Sequence, residues 1–288
     1  MNISGHTTPF AVLGHPIGHT LSPIMHNSSI AALEMDAIYL AFDAAPERLM
    51  EILHAMRDMG FRGVNLTVPL KEVAFKGVDS LDTSAKISGS VNTIEFIEDG
   101  SLRGHSTDGY GFVTALKESF NTTLEGQSVF VLGSGGAGRA VAITCADEGA
   151  SHVVVSDIDA ARAAKVVAEI TELFPAVGVE SAGTDATQWA TAAGQAALII
   201  QATPVGMKQS DTPLLTSEAF HAGQMLFDLI YMYPETGIMK AATAGGAKAA
   251  NGLGMLLYQG ARSFEIWTNR TPDINAMRKA LETSVYGS

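Results

Sequence analysis

Six consecutive residues of this 288-residue chain, Gly133-Ser134-Gly135-Gly136-Ala137-Gly138, match the pattern G-x-G-x-x-G. Glycines at these places permit a tight strand-to-helix turn and let backbone N–H groups approach a pyrophosphate. The helix N-terminus beyond adds a favourable dipole. Alone, the pattern is also met in turns that bind nothing. Here the apolar run SVFVLG (128–133) precedes it and the Ala-rich GAGRAVAITCADEGA (136–150) follows, the setting this chemistry requires. Asp157 closes the next apolar run, HVVVSD (152–157), 19 residues beyond Gly138. A carboxylate there accepts hydrogen bonds from an adenosine ribose diol and repels a 2′-phosphate, which predicts NAD rather than NADP. Ile158 adds no charge, and Arg162, one turn further on, reads as a solvated helix residue, though an arginine there can swing toward a phosphate and keeps NADP open.

Composition bounds what surrounds this turn. The length predicts two domains, and 47% hydrophobic with 17% charged residues is the composition of a folded chain. Asp plus Glu outnumber Lys plus Arg by 30 to 18, and no basic cluster occurs, so no nucleic-acid partner is expected. The single cysteine, Cys145, excludes an intrachain disulfide and a Cys-rich metal site, and reads as inert core packing. His15, His19 and His26 cluster near the start without an H-E-x-x-H helix signature and read as polar loop or helix-face residues, so no metal is predicted. No apolar run reaches membrane-span length, and MNISGHTTPF has neither a basic start nor an apolar stretch. A soluble cytoplasmic protein acting on a small molecule is expected, as a monomer or homodimer.

Strand-like and helix-like segments alternate from end to end, which predicts an α/β protein with parallel, doubly wound sheets. AIYLAF (37–42) and GVNLTV (63–68) read as strands, PERLMEILHAMRDMG (46–60) as an amphipathic helix with Pro46 in its first turn, and Pro69 opens a short helix holding Lys71. Residues 91–97 and 101–105 form a hairpin around Glu98-Asp99-Gly100. A helix (108–120) and the connector NTTLEGQ (121–127) lead into the second unit, with helix 159–174, strand AALIIQAT (196–203) and MLFDLIY (225–231) as its last long strand. Two terminal helices, 252–267 and 272–284, are expected to pack back on the first domain and leave a ligand cleft between the domains.

Seven stretches, in order, resemble shikimate dehydrogenases: GHPIGHTLSPIMHN (14–27), GVNLTVPLKE (63–72), SVNTIEF with GHSTDGYGF (90–96 and 104–112), GSGGAGRA (133–140), ATPVGM (202–207), DLIYMYPET (228–236) and NGLGMLLYQGA (251–261). The resemblance covers nearly the whole chain. It implies a substrate domain, 1–108 plus 252–288, and a Rossmann-type dinucleotide-binding domain, 109–251. It implies reversible nicotinamide-dependent reduction of 3-dehydroshikimate to shikimate in aromatic amino acid biosynthesis, with Lys71 and Asp108 as the catalytic pair. Hydride transfer to a ketone leaves an alkoxide that needs a proton and charge stabilisation, and an ammonium beside a carboxylate supplies both.

By the same resemblance, hydroxyls of Thr20 and Ser22 hold the substrate carboxylate, and Ser22 also reads as an N-cap before Pro23. Asn65, Thr67, Asn92 and Gln259 match positions that bind ring hydroxyls, and Tyr231 one near the carboxylate. Thr203, Pro204 and Met207 match the nicotinamide side, and Gly254 and Met255 a loop facing both ligands. Three departures stand out. Thr20 occupies a place where many members have serine. Asp157-Ile158-Asp159 replaces an Asn-Arg-Thr run whose arginine grips a 2′-phosphate, which resembles the NAD-using quinate/shikimate dehydrogenase branch. Met232 stands where asparagine commonly follows the tyrosine. A catabolic quinate/shikimate dehydrogenase is therefore the second expectation. The third is a non-catalytic nucleotide-binding sensor, against which Lys71, Asp108 and the polar ring contacts argue.

Overall fold

A computed structural model describes residues 3–287, in two units. One runs to Gly111 and resumes at Leu256; the other is Phe112–Met255. The first contains β1 (Thr8–Gly14), α1 (Ser22–Ala32), β2 (Ala37–Asp43), α2 (Leu49–Asp58), β3 (Gly63–Leu66), α3 (Lys71–Gly77), β4 (Ser80–Leu81), α4 (Thr83–Ser88), β5 (Thr93–Phe96) and β6 (Leu102–His105). The chain leaves it within α5 (Asp108–Phe120). The second holds β7 (Ser128–Leu132), α6 (Gly136–Asp147), β8 (His152–Ser156), α7 (Ala160–Leu173), β9 (Gly178–Ser181), α8 (Ala186–Gln195), β10 (Leu198–Gln201), β11 (Met225–Asp228), α9 (Gly237–Ala244) and β12 (Lys248–Asn251). The chain returns within α10 (Leu253–Thr268) and ends with α11 (Ile274–Tyr286).

The first sheet runs β2-β1-β3-β5-β6-β4. β1 is parallel to β2 and β3, but β5 is antiparallel to β3 and β6, so this sheet is mixed, with the expected hairpin set among parallel strands. The cause is the tight turn at 98–100, with Gly100 at φ 88°, since so short a connection joins only antiparallel strands. Leu49, Leu53 and Met56 of α2 lie on one helical face and enter a core with Leu13, Leu66, Leu70, Ile94 and Leu102. Pro46 opens a separate 3-10 turn, Pro46–Arg48, ahead of α2. α10 lies against β3 and β5: a Cβ on Gly63 would run into the Trp267 indole, whose Nε1 donates to the carbonyl of Ile94 at 2.8 Å.

The second sheet is wholly parallel, in the order β12-β11-β10-β7-β8-β9. β7, β10 and β11 are central and almost uniformly apolar, as buried parallel strands must be. Within MLFDLIY the strand β11 stops at Asp228, and β12, of the same four-residue length and partly exposed, follows it as the edge. Ser22 is the first residue of α1 rather than its cap; Leu21 precedes it with no side-chain cap. Cys145 is buried. Among the described residues no helix is long and apolar enough to cross a membrane, and no three His, Cys, Asp or Glu are grouped to hold a metal.

Candidate active site

In the first unit, Lys71 opens α3 and Asp108 opens α5. Their side chains meet, Nζ donating to Oδ2 at 2.6 Å, and both stay partly exposed. The other carboxylate oxygen, Oδ1, accepts Nδ2 of Asn92 at 2.9 Å. Asn92 is buried at the mouth of β5; its Oδ1 accepts the N–H of Thr107 at 2.9 Å, and its Nδ2 faces Oε1 of Gln259 at 3.5 Å. Four of the expected residues, Lys71, Asp108, Asn92 and Gln259, thus form one polar cluster.

Asn65 lies one layer below. Its Nδ2 donates to the carbonyl of Asn92 at 3.1 Å, to Thr93 Oγ1 at 3.1 Å and to Ser263 Oγ at 2.9 Å, while its Oδ1 accepts the Tyr39 hydroxyl at 2.7 Å. Asn65 is thus held by four partners from separate elements, directly beneath Asn92. Ser22 neighbours the Tyr39 hydroxyl, and its N–H donates to Thr20 Oγ1 at 3.3 Å. The methyl of Thr67 packs against Gly14, where a Cβ would meet it at 2.5 Å. Tyr39, Thr93, Thr107 and Ser263 were not singled out from sequence. Only Ser263, four positions after Gln259 on the same face of α10, carried a readable signal.

His26 lies beneath Tyr39, ring on ring at 4.2 Å and 3°. Neither ring nitrogen has a hydrogen-bond partner. Burial drives its pKa from 6.5 to about 3, so it is a neutral aromatic spacer.

In the second unit the glycine-rich turn has the geometry its pattern demands. Gly133 sits at φ 102°, in the left-handed region that favours glycine. A Cβ on Gly138 would fall on the carbonyl oxygen of Gly133, so α6 can approach the turn only with glycine there. Gly135 and Gly136 face open space. No side chain caps α6, which leaves the first-turn N–H groups of Gly136, Ala137 and Gly138 for a ligand, and the site fits a dinucleotide pyrophosphate.

Asp157 is almost fully buried, and accepts the N–H of Ser134 at 2.9 Å and of Asp159 at 3.0 Å. Burial by itself raises its carboxyl, but these two N–H groups and the Arg162 guanidinium outweigh it and hold the group below the usual carboxylate range. Arg162 is not simply solvated: its guanidinium lies 3.4 Å from Asp157 and 3.8 Å from Asp159. Thr203 Oγ1 accepts Gln201 Nε2 at 2.9 Å and shapes the loop that carries Pro204 and Met207, the latter half exposed. Tyr233 donates its hydroxyl to the carbonyl of Met207 at 3.1 Å. Tyr231 follows β11, and burial raises its phenol. Gly254 packs on Ala115, a Cβ there lying 3.1 Å from the alanine methyl, and Met255 follows it in α10. Nothing in the structure explains Met232.

Two families match the chain: the shikimate dehydrogenase substrate binding domain at residues 12–94 and the shikimate 5'-dehydrogenase C-terminal domain at residues 252–282. A shikimate dehydrogenase (NADP(+)) of Methanopyrus kandleri is 37% identical over 283 residues, spanning 98% of this chain and 97% of its own. The crystal structure of shikimate 5-dehydrogenase from Listeria monocytogenes, in complex with shikimate and NAD, superposes with a TM-score of 0.91 at 32% identity over 98% of each chain. Quinate dehydrogenase from Corynebacterium glutamicum, in complex with NAD, gives 0.88 at 26% identity over 96% of this chain and 99% of its own. With a full-length relative at this identity, the chain belongs to the shikimate dehydrogenase family.

Proposed function

We propose that this chain catalyses the reversible, nicotinamide-dependent reduction of 3-dehydroshikimate to shikimate, with Lys71 and Asp108 as its acid-base pair. The observation that carries the reading is the contact of Lys71 Nζ with Asp108 Oδ2 at 2.6 Å, in a cluster completed by Asn92 and Gln259. Both oxygens of Asp108 already accept an N–H donor, so its ionised form fits the site and the movable proton rests on Lys71. When bound, the dinucleotide supplies or accepts the hydride at the carbon bearing the reacting oxygen. As that oxygen gains negative charge, the Lys71 ammonium donates a hydrogen bond and then a proton to it; in the oxidative direction the neutral amine takes the hydroxyl proton back. Asp108 holds the ammonium in place and balances its charge.

Residues 1–108 with 252–288 are assigned to substrate, and 109–251 to the dinucleotide. Thr20, Ser22, Asn65, Thr67, Asn92, Tyr231 and Gln259 are assigned to substrate. Gly133, Gly135, Gly136, Ala137, Gly138, Asp157, Thr203, Pro204, Met207, Gly254 and Met255 are assigned to the dinucleotide. NAD is the preferred cofactor on this reading, because the buried, ionised Asp157 stands where a 2′-phosphate would carry like charge. The Methanopyrus kandleri relative is named for NADP(+), so the cofactor assay below bears directly on the role given to Asp157.

The test is oxidation of shikimate and of quinate, each with NAD and with NADP. Turnover of shikimate with NAD at the highest kcat/KM is expected. Dinucleotide binding without turnover of either substrate would refute the enzymatic reading. Preference for NADP would refute the role given to Asp157.

A further inference from the structure

His105 ends β6, three positions before Asp108. Its Nδ1 lies 2.9 Å from Oδ2 of Asp82, and its Nε2 3.0 Å from Oε2 of Glu95. A neutral imidazole has one N–H and would turn its other lone pair on a carboxylate. Both contacts are satisfied only by an imidazolium that donates to each. The ring is nearly buried, so the contacts are not averaged away by solvent.

The clamp continues into the candidate active site on two sides. Asp82 caps α4, its Oδ1 accepting the N–H of Ala85 at 2.9 Å and the Ser84 hydroxyl at 2.7 Å. Ser84 Oγ accepts in turn the N–H of Ser106 at 2.9 Å. On the other side, the carbonyl of His105 accepts the N–H of Asn92 at 3.0 Å. Asn92 then takes the N–H of Thr107 and donates to Asp108. Residues 105–107, the segment that delivers Asp108, are thus held at each step.

We propose that His105, clamped as an imidazolium between Asp82 and Glu95, is a positioning residue that sets the aim of Asp108 at Lys71. This rests on the pair's role given above. Other charges surround the cluster. Arg103 approaches Glu95 at 3.8 Å, and Asp79 accepts the N–H of Leu102. Arg262, Glu265 and Arg270 line, with Glu95 and His105, a pocket of about 430 Å³. Arg262 is itself paired with Glu265 at 3.0 Å. Burial alone lowers the His105 pKa, but the two carboxylates outweigh it and hold the ring above its ordinary value. Asp82 is pulled down to about 2: burial opposes this, and bonds from His105, Ala85 and Ser84 overcome it. Loss of the ring proton at rising pH turns one contact repulsive and loosens the segment before Asp108.

The test compares wild type, His105→Gln and Glu95→Gln. In wild type, nitrogen-15 spectra should show both His105 ring nitrogens protonated at pH 7, the signal being assigned by its loss in His105→Gln. For shikimate oxidation, His105→Gln should lower kcat roughly tenfold at pH 6.5 with KM for shikimate little changed. That gap should close as pH rises past the titration of the wild-type ring. If His105→Gln does not fold, Glu95→Gln carries the test: the ring should titrate at lower pH, and the fall in kcat relative to wild type should set in with it. A neutral His105 at pH 7, or a kcat ratio that is constant with pH, overturns the proposal. A wild-type protein inactive on shikimate defeats the functional reading instead, and the ring spectra are read independently of it.

Discussion

Lys71 Nζ and Asp108 Oδ2 lie 2.6 Å apart although 37 positions separate them in the chain. One opens α3 and the other opens α5, and Asn92, on the strand end between them, donates to the second carboxylate oxygen. Three elements therefore converge on one carboxylate. Lys71→Ala should lower kcat for shikimate oxidation by about 10²–10⁴-fold, the usual range for losing a positioned proton carrier. Dinucleotide affinity and melting temperature should change little, because the side chain is partly exposed and outside the core. Steady-state kinetics with a thermal melt check this; a folded variant with retained turnover contradicts it.

Asp157→Asn keeps the shape that receives the N–H groups of Ser134 and Asp159 but removes the charge. The ratio of kcat/KM for NAD to that for NADP should fall by roughly tenfold or more, since like-charge exclusion at a binding site is worth a kcal/mol or more. Parallel titrations with the two cofactors measure it. An unchanged ratio would show that something other than this carboxylate sets the preference.

His26 makes the protein acid-sensitive. Its ring stays neutral in the fold down to about pH 3, whereas the unfolded chain protonates it near 6.5. The unfolded state binds the extra proton, so stability is full above 6.5 and falls as pH drops. Between pH 7.5 and 5 the loss from this group is about 2 kcal/mol. His26→Phe should show that much less pH dependence in urea unfolding, whatever its stability at neutral pH. Parallel curves for the two proteins would count against the assignment.

Asp228 works in the opposite sense. Burial raises its carboxyl from 3.8 to about 6, although Thr236 Oγ1 at 2.6 Å and the N–H of Ile230 at 3.0 Å partly compensate. Here the folded state holds the proton longer, so stability contributed below pH 3.8 is lost as pH rises through 6. The linkage amounts to about 3 kcal/mol. Asp228→Asn should gain stability relative to wild type between pH 4 and 7. Chemical unfolding at the two pH values decides the matter, and a constant difference would refute it.

Much was legible in the residue order because it is governed locally. The glycine-rich turn was readable from spacing: Gly133 needs a positive φ, and Gly138 must clear the carbonyl of Gly133, both within six residues. The buried strands β7, β8 and β10 announced themselves as continuous apolar runs. Strands β9 and β12 did not, since GVES and KAAN are short, partly exposed edges whose pairing comes from neighbours. Resemblance named Lys71 and Asp108, but no local rule ties residues so far apart; their contact exists because the sheet order brings β3, β5 and β6 side by side. Tertiary structure alone decided that Asn65 is held by Tyr39, Thr93 and Ser263, that Arg162 is paired, and that His105 sits between two carboxylates. Such partnerships join side chains from separate elements, and a hydrogen bond depends on distance in space, which spacing along a chain does not encode.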